Sequence, residues 1–417
     1  MDAPLAQPAP VAKDARRTKQ PESGGRIMQT GEVAFTRLKR VTYGKPVAEA
    51  LVEAAERAGA TRVFLMASRS LVARGGEIGQ VAEALGDRLC GVYSGMPAHT
   101  PRDAVLEAAA GARRGGAEMI ATVGGGSITD AAKAVTLALE HDLKEIPDFD
   151  PFIMRTDTDG RTVAPEYRAP TLPLVCCPTT LSAGEYNPLA GVSDPRKGVK
   201  QAIRSPGMAP SEVILDPALS LPTPEWLWLS TGVRAVDHCV EAVCAPTANA
   251  YCDAQSLYGL TLLTRGLAAT KADPLDLQAR LDCQLGAWLS MSSVQAGVPK
   301  GASHAIGHIL GGSFGVSHGH TSCVMLPSVM QWNAAADTAG RQKLVAAAMG
   351  APDRPAADLL HEFIAALGMP RTLAEVGVTP DQFEKAARLS MHDRWIHTNP
   401  RPIKGPEDVM EILKLAA

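Results

Sequence analysis

Four of the chain's ten histidines fall within one stretch of twenty residues, 301–320. His304 and His308 are four residues apart in a segment with a helical pattern, so their rings project from one helix face, one turn apart. Gly311-Gly312 is expected to end this helix, and His318 then returns on the following loop. Such a group suits a divalent metal ion or a proton relay, whereas the alternative is a set of hydrogen-bonded core histidines.

A second group of residues with chemical potential is a glycine-rich turn. The predicted strand Met119–Val123 leads directly into Gly124-Gly125-Gly126. Three residues without Cβ atoms let a ligand approach the backbone closely, and Ser127 is expected to cap a helix whose free N–H groups attract an anion. This suits a pyrophosphate, although the spacing matches neither the P-loop nor G-x-G-x-x-G. The structural alternative is a tight turn in which Ser127 and Asp130 form a capping box.

A third group consists of hydroxyl side chains after another predicted strand, Thr171–Cys176. Thr179, Thr180 and Ser182 follow it within a few residues. Hydroxyls at the carboxyl end of a strand are well placed to bind a ligand of a doubly wound sheet, and a polar turn is the equal alternative.

The elements that must position these groups change character along the chain. In the first half, short apolar strands alternate with helices of ten to fifteen residues, which predicts an α/β fold with a parallel doubly wound sheet. From Pro224 onward the pattern is helical. We therefore expect an α/β dinucleotide-binding domain at residues 31–216 and an all-α catalytic domain at residues 217–417. Residues 1–30 lack the apolar core of a secretory signal and are interpreted as a disordered leader.

Composition narrows the functional classes. The chain of 417 residues is 46% hydrophobic and 20% charged with a net charge of -3, which gives no reason to expect nucleic acid or an anionic membrane as a partner. No apolar run reaches the roughly 18 residues of a membrane span. The eight cysteines form no C-x-x-C pair, which favours buried free thiols and a cytoplasmic protein.

Taken in order, the motifs resemble those of the iron-containing (group III) alcohol dehydrogenase family, and within it the maleylacetate reductase-like branch. The resemblance runs from about Glu32 to the C-terminus. It is carried by Gly124-Gly125-Gly126-Ser127 with Asp130 and Lys133, Pro178-Thr179-Thr180 with Glu185, Ala235–Glu241, the histidine stretch, and Asn399-Pro400-Arg401-Pro402. It implies a cleft between the two domains for NAD(P) and a small alcohol or carbonyl substrate, and a homodimer.

The resemblance also implies a set of cofactor-binding residues. The pyrophosphate is expected at Gly124, Gly125, Gly126, Ser127 and Asp130, and the ribose and nicotinamide at Thr179, Thr180, Leu181 and Lys200. Ser68 and Arg69 stand where an NAD enzyme carries an acidic residue for the adenosine 2′-OH, which leaves room for a 2′-phosphate. NAD(H) and NADP(H) therefore both remain open.

The sequence departs from the family at its metal site. Members that hold Fe²⁺ or Zn²⁺ do so with one aspartate and three histidines; His238, His304 and His318 match the histidines, but the aspartate position is Arg234. Arginine has no lone pair to donate, and Asp237 is expected to face away from His238. Either the three histidines alone hold a metal, or Arg234 replaces it as the electrophile. We favour the metal-free alternative.

The mechanistic hypothesis assigns catalysis to Arg234, His238 and His308. NAD(P)H delivers hydride to a carbonyl carbon, Arg234 with the histidines stabilises the oxygen, and His308 transfers the proton. Arg234 suggests an anionic substrate such as maleylacetate. The rival hypotheses are a dehydroquinate synthase-like NAD-dependent lyase and a non-catalytic nucleotide-binding relative with a decayed metal site.

Overall fold

A six-stranded parallel sheet organises the first half of the chain. The computed structural model describes residues 32–156 and 162–417, so the predicted leader at residues 1–30 lies outside the described residues. The strands are β1 (Arg40–Tyr43), β2 (Val63–Ala67), β3 (Leu89–Tyr93), β4 (Met119–Gly124), β5 (Arg155–Thr156), β6 (Thr162–Val163), β7 (Leu174–Pro178), β8 (Leu189–Asp194), β9 (Val199–Arg204) and β10 (Glu212–Leu215). β5 pairs with β6, and β8 with β9, as separate antiparallel ribbons.

The strand order of the sheet creates a reversal at its centre. The order is β1-β10-β7-β4-β2-β3, with all neighbours parallel. The chain runs from β2 outward to β3 and then returns to the other side of β2 to form β4. Ligands of open α/β sheets bind outside the carboxyl ends of the strands at such a reversal. Ser68 follows β2 and Gly125 follows β4, so both lie at this edge.

Helices cover both faces of the sheet. They are α1 (Val47–Ala58), α2 (Arg69–Arg74), α3 (Gly76–Leu85), α4 (Arg102–Gly115) and α5 (Gly126–Glu140). Val63 and Leu65 of β2 pack in one apolar cluster with α1 and α3, whereas Phe64 and Met66 pack in another with α4 and α5. This alternation is what a strand buried on both faces requires, because successive side chains point to opposite sides.

The second half of the chain is helical. Its helices are α6 (Glu225–Cys244), α7 (Ala250–Ala272), α8 (Leu277–Leu289), α9 (Ser292–Gln295), α10 (Ala302–Phe314), α11 (His318–Asn333), α12 (Arg341–Ala348), α13 (Ala356–Ala366), α14 (Phe383–Ser390) and α15 (Pro406–Leu415). The predicted fold class, a parallel α/β sheet followed by an all-α region, is confirmed. Among the described residues, no helix is long and apolar enough to cross a membrane.

Several local expectations were wrong. α10 continues through Gly311-Gly312 to Phe314, and Gly315, with a φ of 73°, forms the left-handed cap while Val316 N donates to the Leu310 carbonyl at 3.1 Å. The helix keeps both interior glycines although each weakens a helix by about 1 kcal/mol. His318 is the first residue of α11 rather than a loop residue. The β8–β9 hairpin was not predicted. The eight cysteines are free, as expected, and all but Cys90 are buried.

Candidate active site

The glycine turn is shaped by close packing against its neighbours. A Cβ at Gly124 would overlap the Ser68 hydroxyl and lie 2.8 Å from Ile128 Cγ1. At Gly125 and Gly126 a Cβ would lie 3.2 Å from Thr180 Cγ2 and 3.1 Å from Ser182 Oγ, respectively. Glycine is therefore needed at these positions because neighbouring side chains of the protein already fill the space of a Cβ. A side chain at Gly124 would push β2 and β4 apart at the edge where a ligand would bind.

The helix that follows the turn starts two residues earlier than expected. α5 begins at Gly126 with Gly125 as its N-cap, so Ser127 does not cap it and forms no capping box with Asp130. Asp130 instead accepts a hydrogen bond from Gly191 N at 3.1 Å and holds α5 against β8. Because no side chain occupies the cap, the first N–H groups of this fifteen-residue helix stay available to an anion.

Ser68 and Arg69 flank the same edge of the sheet. The Ser68 N–H donates to the Val123 carbonyl at 3.0 Å, which fixes the end of β2 beside the end of β4. Arg69 is exposed at the start of α2. The structure thus brings both residues beside the glycine turn.

The loop after β7 joins the glycine turn to the helical half. Thr179 N donates to the Gly124 carbonyl at 3.0 Å, and Leu181 N donates to Thr231 Oγ1 at 3.1 Å. Thr231 lies on α6, one turn before Arg234. Thr179, Thr180 and Leu181 are buried between the two groups of candidate residues.

Lys200 reaches over the hairpin towards the histidines. It is exposed on β9, and its Cε lies 2.5 Å from where a Cβ of Gly191 would be, so Gly191 leaves the space its chain crosses. Its positive charge contributes to the lowered pKa of His318. The lysine is therefore close enough to α11 for its charge to act on His318.

A buried glutamate holds His304 at the start of α10. Glu241 Oε2 lies 2.7 Å from His304 Nδ1, and the two Glu241 oxygens accept hydrogen bonds from Gly301 N at 2.9 Å and Ser303 N at 2.8 Å. A carboxylate accepts only, so Nδ1 carries the proton. His304 Nε2 is buried without a partner among the described residues and is free to bond a ligand.

The C-terminal segment completes this helix start. Asn399 Oδ1 accepts a hydrogen bond from Ala302 N at 3.2 Å, and Thr398 Oγ1 donates to the Lys300 carbonyl at 2.6 Å. Lys300 is itself buried, and its Nζ donates to the His238 carbonyl at 3.1 Å and to Ser293 Oγ at 2.8 Å. The residues before α10 are thus fixed by a segment almost a hundred positions later.

Arg234 and Asp237 share the buried face of α6. Arg234 Nη1 donates to Ser322 Oγ at 3.0 Å and lies 3.8 Å from Asp237 Oδ2. The same Oδ2 accepts from Ser303 Oγ and Ser322 Oγ and lies 3.4 Å from His304 Nδ1. The expectation that Asp237 faces away from the site was therefore wrong. Burial alone would raise the pKa of Asp237, but His304 and Arg234 outweigh it and lower the pKa.

His238 lies directly against His304. The ring centroids are 4.9 Å apart and 29° from parallel, and His238 Nδ1 is 3.5 Å from Ser290 Oγ. Burial, followed by the charge of Lys300, lowers the pKa of His238 well below its usual value. His238 is consequently a neutral imidazole.

The outer histidines form a second stack. His308 and His318 have ring centroids 5.8 Å apart and 18° from parallel, and Trp395 covers His308 at 4.9 Å. The charge of Arg234, followed by burial, lowers the pKa of His318 well below its usual value. Both rings of this stack reach the surface, since 33% of the His308 side chain is exposed and His318 is exposed as well, against 2% for His304.

One group in the described part of the chain has the spacing of metal ligands. The potential ligand atoms of Asp237, Glu241 and His304 lie within 4.8 Å of one another. This trio differs from the sequence-derived set of His238, His304 and His318, of which only His304 is common to both.

Sequence reasoning missed four groups at the site: Asp237 as a partner of His304, Glu241, Lys300 and Asp393. The first two had a visible sign. Arg234, Asp237, His238 and Glu241 recur at intervals of three or four residues in an otherwise apolar helix, which places them on one face. Asp393, which contacts His308, has no sign of this kind because its partner is 85 residues away.

Comparison with known proteins gives one family for both halves of the chain. The family model for iron-containing alcohol dehydrogenase matches residues 39–217, and that for the Fe-containing alcohol dehydrogenase family, C-terminal, matches residues 228–417. Dehydrogenase ALT3 of Alternaria alternata is 32% identical over 86% of this chain and 99% of its own length. Maleylacetate reductase of Burkholderia cepacia is 30% identical over 90% and 95%. The crystal structure of maleylacetate reductase from Agrobacterium tumefaciens superposes with a TM-score of 0.77 at 27% identity, covering 93% of this chain and 98% of that one.

Proposed function

Because the chain belongs to the iron-containing alcohol dehydrogenase family and is an NAD(P)-dependent oxidoreductase, we propose that it reduces the carbonyl group of a small anionic substrate without a resident metal ion. The observation that carries this proposal is the buried guanidinium of Arg234, which is 6% exposed beside the stacked histidines. Relatives that bear the name maleylacetate reductase make an oxo acid the first substrate to test.

Arg234 has the free donors that an anionic group needs. Only Nη1 makes a hydrogen bond within the described residues, to Ser322, so Nε and Nη2 remain available. Ser322 and Asp237 hold the side chain in one orientation. A positioned guanidinium can bind a carboxylate or stabilise an oxygen that gains negative charge, and in a site with little water this is worth several kcal/mol.

The remaining steps follow from the geometry. The start of α5 and the loop Thr179–Leu181 bind the dinucleotide at the edge of the sheet. The same loop is bonded to α6, the helix that carries Arg234 and His238. NAD(P)H, when bound, supplies the hydride. Arg234 and neutral His238 orient the carbonyl, and His308, whose Nδ1 bonds to Asp393, donates a proton from Nε2 to the oxygen.

The charges of the buried cluster argue against a resident dication. Asp237 and Glu241 are negative, Arg234 and Lys300 are positive, and all four are buried, so the cluster is balanced as it stands. Adding a divalent ion would leave two uncompensated charges. The Glu241 oxygens and Asp237 Oδ2 also already accept hydrogen bonds. Asp237 Oδ1 and His304 Nε2 are the acceptors of this cluster that have no partner among the described residues, and they are the atoms that would face an ion. The balanced charge of the cluster supports a site that works without one.

Three further expectations belong to this proposal. The exposed Arg69, with no acidic residue after β2 at Ser68, supports acceptance of NADPH as well as NADH. Free cysteines support a cytoplasmic location. A homodimer is expected from the family resemblance.

The test combines metal analysis with kinetics. Purified protein is assayed for iron and zinc, and oxidation of NADH and NADPH with maleylacetate and simple aldehydes is followed with and without EDTA. We expect turnover of the oxo acid, unchanged by EDTA. Stoichiometric metal and loss of turnover on chelation would contradict the metal-free part. Nucleotide binding without turnover of any carbonyl compound would favour the non-catalytic alternative.

The role of Arg234 has a matched control. Arg234→Lys should raise KM for the oxo acid at least about 10-fold, because one ammonium replaces the planar set of donors. Arg280, also buried, donates to Ser220 and the Pro274 carbonyl away from the cleft, so Arg280→Lys should leave KM unchanged. Equal effects of both substitutions would remove Arg234 from substrate binding.

A further inference from the structure

We propose that Asp393 is the positioning residue for His308: its carboxylate fixes the ring orientation and the tautomer that leave Nε2 facing the substrate. The inference rests on the proposed function, since it concerns the proton donor of that reaction. Asp393 lies between α14 and the last helix, on a segment with no other part in the proposed chemistry.

The two oxygens of Asp393 have separate tasks. Oδ2 lies 2.8 Å from His308 Nδ1, and Oδ1 accepts a hydrogen bond from Trp395 N at 2.9 Å. The second bond caps the short helical turn Arg394–Thr398 and prevents the carboxylate from rotating. A carboxylate fixed at one oxygen presents the other in a single direction, so His308 Nδ1 has one preferred partner.

Two further rings lie against His308. The His318 ring centroid is 5.8 Å away at an interplanar angle of 18°, and that of Trp395 is 4.9 Å away at 36°. Trp395 is itself placed by the cap that Asp393 makes. One carboxylate therefore determines both the hydrogen bond of the imidazole and the position of the indole that covers it.

The hydrogen bond decides which nitrogen can act. An ionised carboxylate only accepts, so Nδ1 must carry a proton and Nε2 is left for the substrate. Burial would raise the pKa of Asp393, but the bond and charge of His308, the Trp395 N–H and the charge of Arg394 together lower it, which favours the ionised carboxyl group. With 33% of the His308 side chain exposed against 15% for Asp393, the histidine can exchange protons with solvent.

The proton step then balances. Burial lowers the pKa of His308, although the bond to Asp393 opposes this, so the doubly protonated ring is a stronger acid than a free imidazolium. This form, with protons on both nitrogens, is the donor. As the carbonyl carbon accepts hydride from NAD(P)H, the C=O π pair becomes the alkoxide lone pair and takes the proton from Nε2. The product is an alcohol, and His308 is left neutral with Nδ1–H still bonded to Asp393. A proton from water restores the imidazolium before the next turnover.

Two substitutions separate positioning from capping. Asp393→Ser keeps a good N-cap for Trp395 N but cannot reach His308. Asp393→Asn keeps the shape and loses the charge. Both should lower kcat by about 10- to 100-fold, a part of what a general acid contributes, with KM for NAD(P)H unchanged. Asp276 caps α8 by accepting from Ala279 N, away from the histidines, so Asp276→Asn serves as the control with unchanged kcat.

The direct readout is the tautomer of His308. It is measured by ¹⁵N–¹H NMR of protein labelled at its histidines, and the His308 resonance is assigned as the one that is lost in His308→Gln. The wild-type protein should show the Nδ1–H tautomer in the neutral ring, and Asp393→Ser should lose it. A wild-type Nε2–H tautomer, or unchanged kcat in a folded Asp393→Ser protein, would overturn the inference. If the wild-type protein turns over no carbonyl compound but shows the Nδ1–H tautomer, the proposed function fails and the positioning contact stands.

Discussion

The backbone N–H of Leu181 donates a hydrogen bond to Thr231 Oγ1 at 3.1 Å, and this bond joins the loop after β7 to α6. Leu181 follows two residues expected at the cofactor, and Thr231 precedes Arg234 by one helical turn. Leu181 and Thr231 are each only a few residues from the groups that they position. The hydrogen bond between them therefore sets the distance from the expected nicotinamide end of the cofactor to the Arg234 guanidinium.

Removal of that bond should affect both stability and cofactor binding. Thr231→Val keeps the shape and leaves the buried Leu181 N–H without its acceptor, which costs about 1–3 kcal/mol. We expect a lower urea midpoint and a weaker Kd for NADH by fluorescence titration. Thr264, on α7, donates to helix carbonyls as Thr231 does, but it accepts no such bond from a loop N–H of the described residues. Thr264→Val should therefore leave the Kd unchanged. A wild-type Kd in Thr231→Val would mean that the bond does not position the cofactor loop.

The glycine turn should not tolerate a side chain. Gly124→Ala places a methyl group against Ser68 and Ile128, and overpacking of this kind costs about 1–3 kcal/mol. NAD(P)H binding, measured by fluorescence, should fall at least about 10-fold. Gly79→Ala in α3 meets nothing within 4 Å and should be neutral or slightly stabilising. Normal nucleotide binding by Gly124→Ala would show that the edge between β2 and β4 can widen without loss.

Glu185 should make stability depend on pH. It is 2% exposed, and burial raises its pKa to about 7. A carboxyl group whose folded pKa is raised favours folding while it is protonated, and this contribution is lost as the pH rises through about 7. The stability of the wild-type protein relative to Glu185→Gln should therefore fall by about 2 kcal/mol between pH 5 and pH 8. Urea unfolding of both proteins at the two pH values measures this. A pH-independent difference would mean that Glu185 is ionised throughout.

The charge at position 234 should decide metal binding. Arg234→Asp removes the positive charge and restores the acid of the family pattern beside His238, His304 and His318, so Zn²⁺ affinity in the micromolar range or tighter should appear in calorimetry. Arg234→Met removes the charge without adding a ligand and should bind no zinc. Absence of binding to a folded Arg234→Asp protein would show that the histidines cannot converge on an ion.

Features encoded locally were predictable from the sequence. The buried strands around Val63–Ala67 and Met119–Gly124 show as short apolar runs, and the order of strands and helices gives the parallel sheet. The end of α10 was mistaken because Gly311-Gly312 carries the local signature of a helix end, whereas the left-handed cap comes three residues later, at Gly315.

Features set by distant residues were not predictable. The tautomer of His304 depends on Glu241 and that of His308 on Asp393, with separations of 63 and 85 residues. The histidine positions alone suggested one converging set. The structure instead holds His238 against His304 and His308 against His318, because each pair takes its orientation from a different carboxylate or neighbouring ring.

The start of the histidine helix depends on Asn399 and Thr398, which bond to Ala302 and Lys300 across 97 and 98 positions. During synthesis the ribosome releases α10 long before it releases these partners. A nascent chain can thus form the sheet, with the edge at which the nucleotide is expected to bind, early in synthesis. His304 reaches its final position only after the segment with Thr398 and Asn399 has emerged. Catalytic competence is consequently among the final properties the protein acquires.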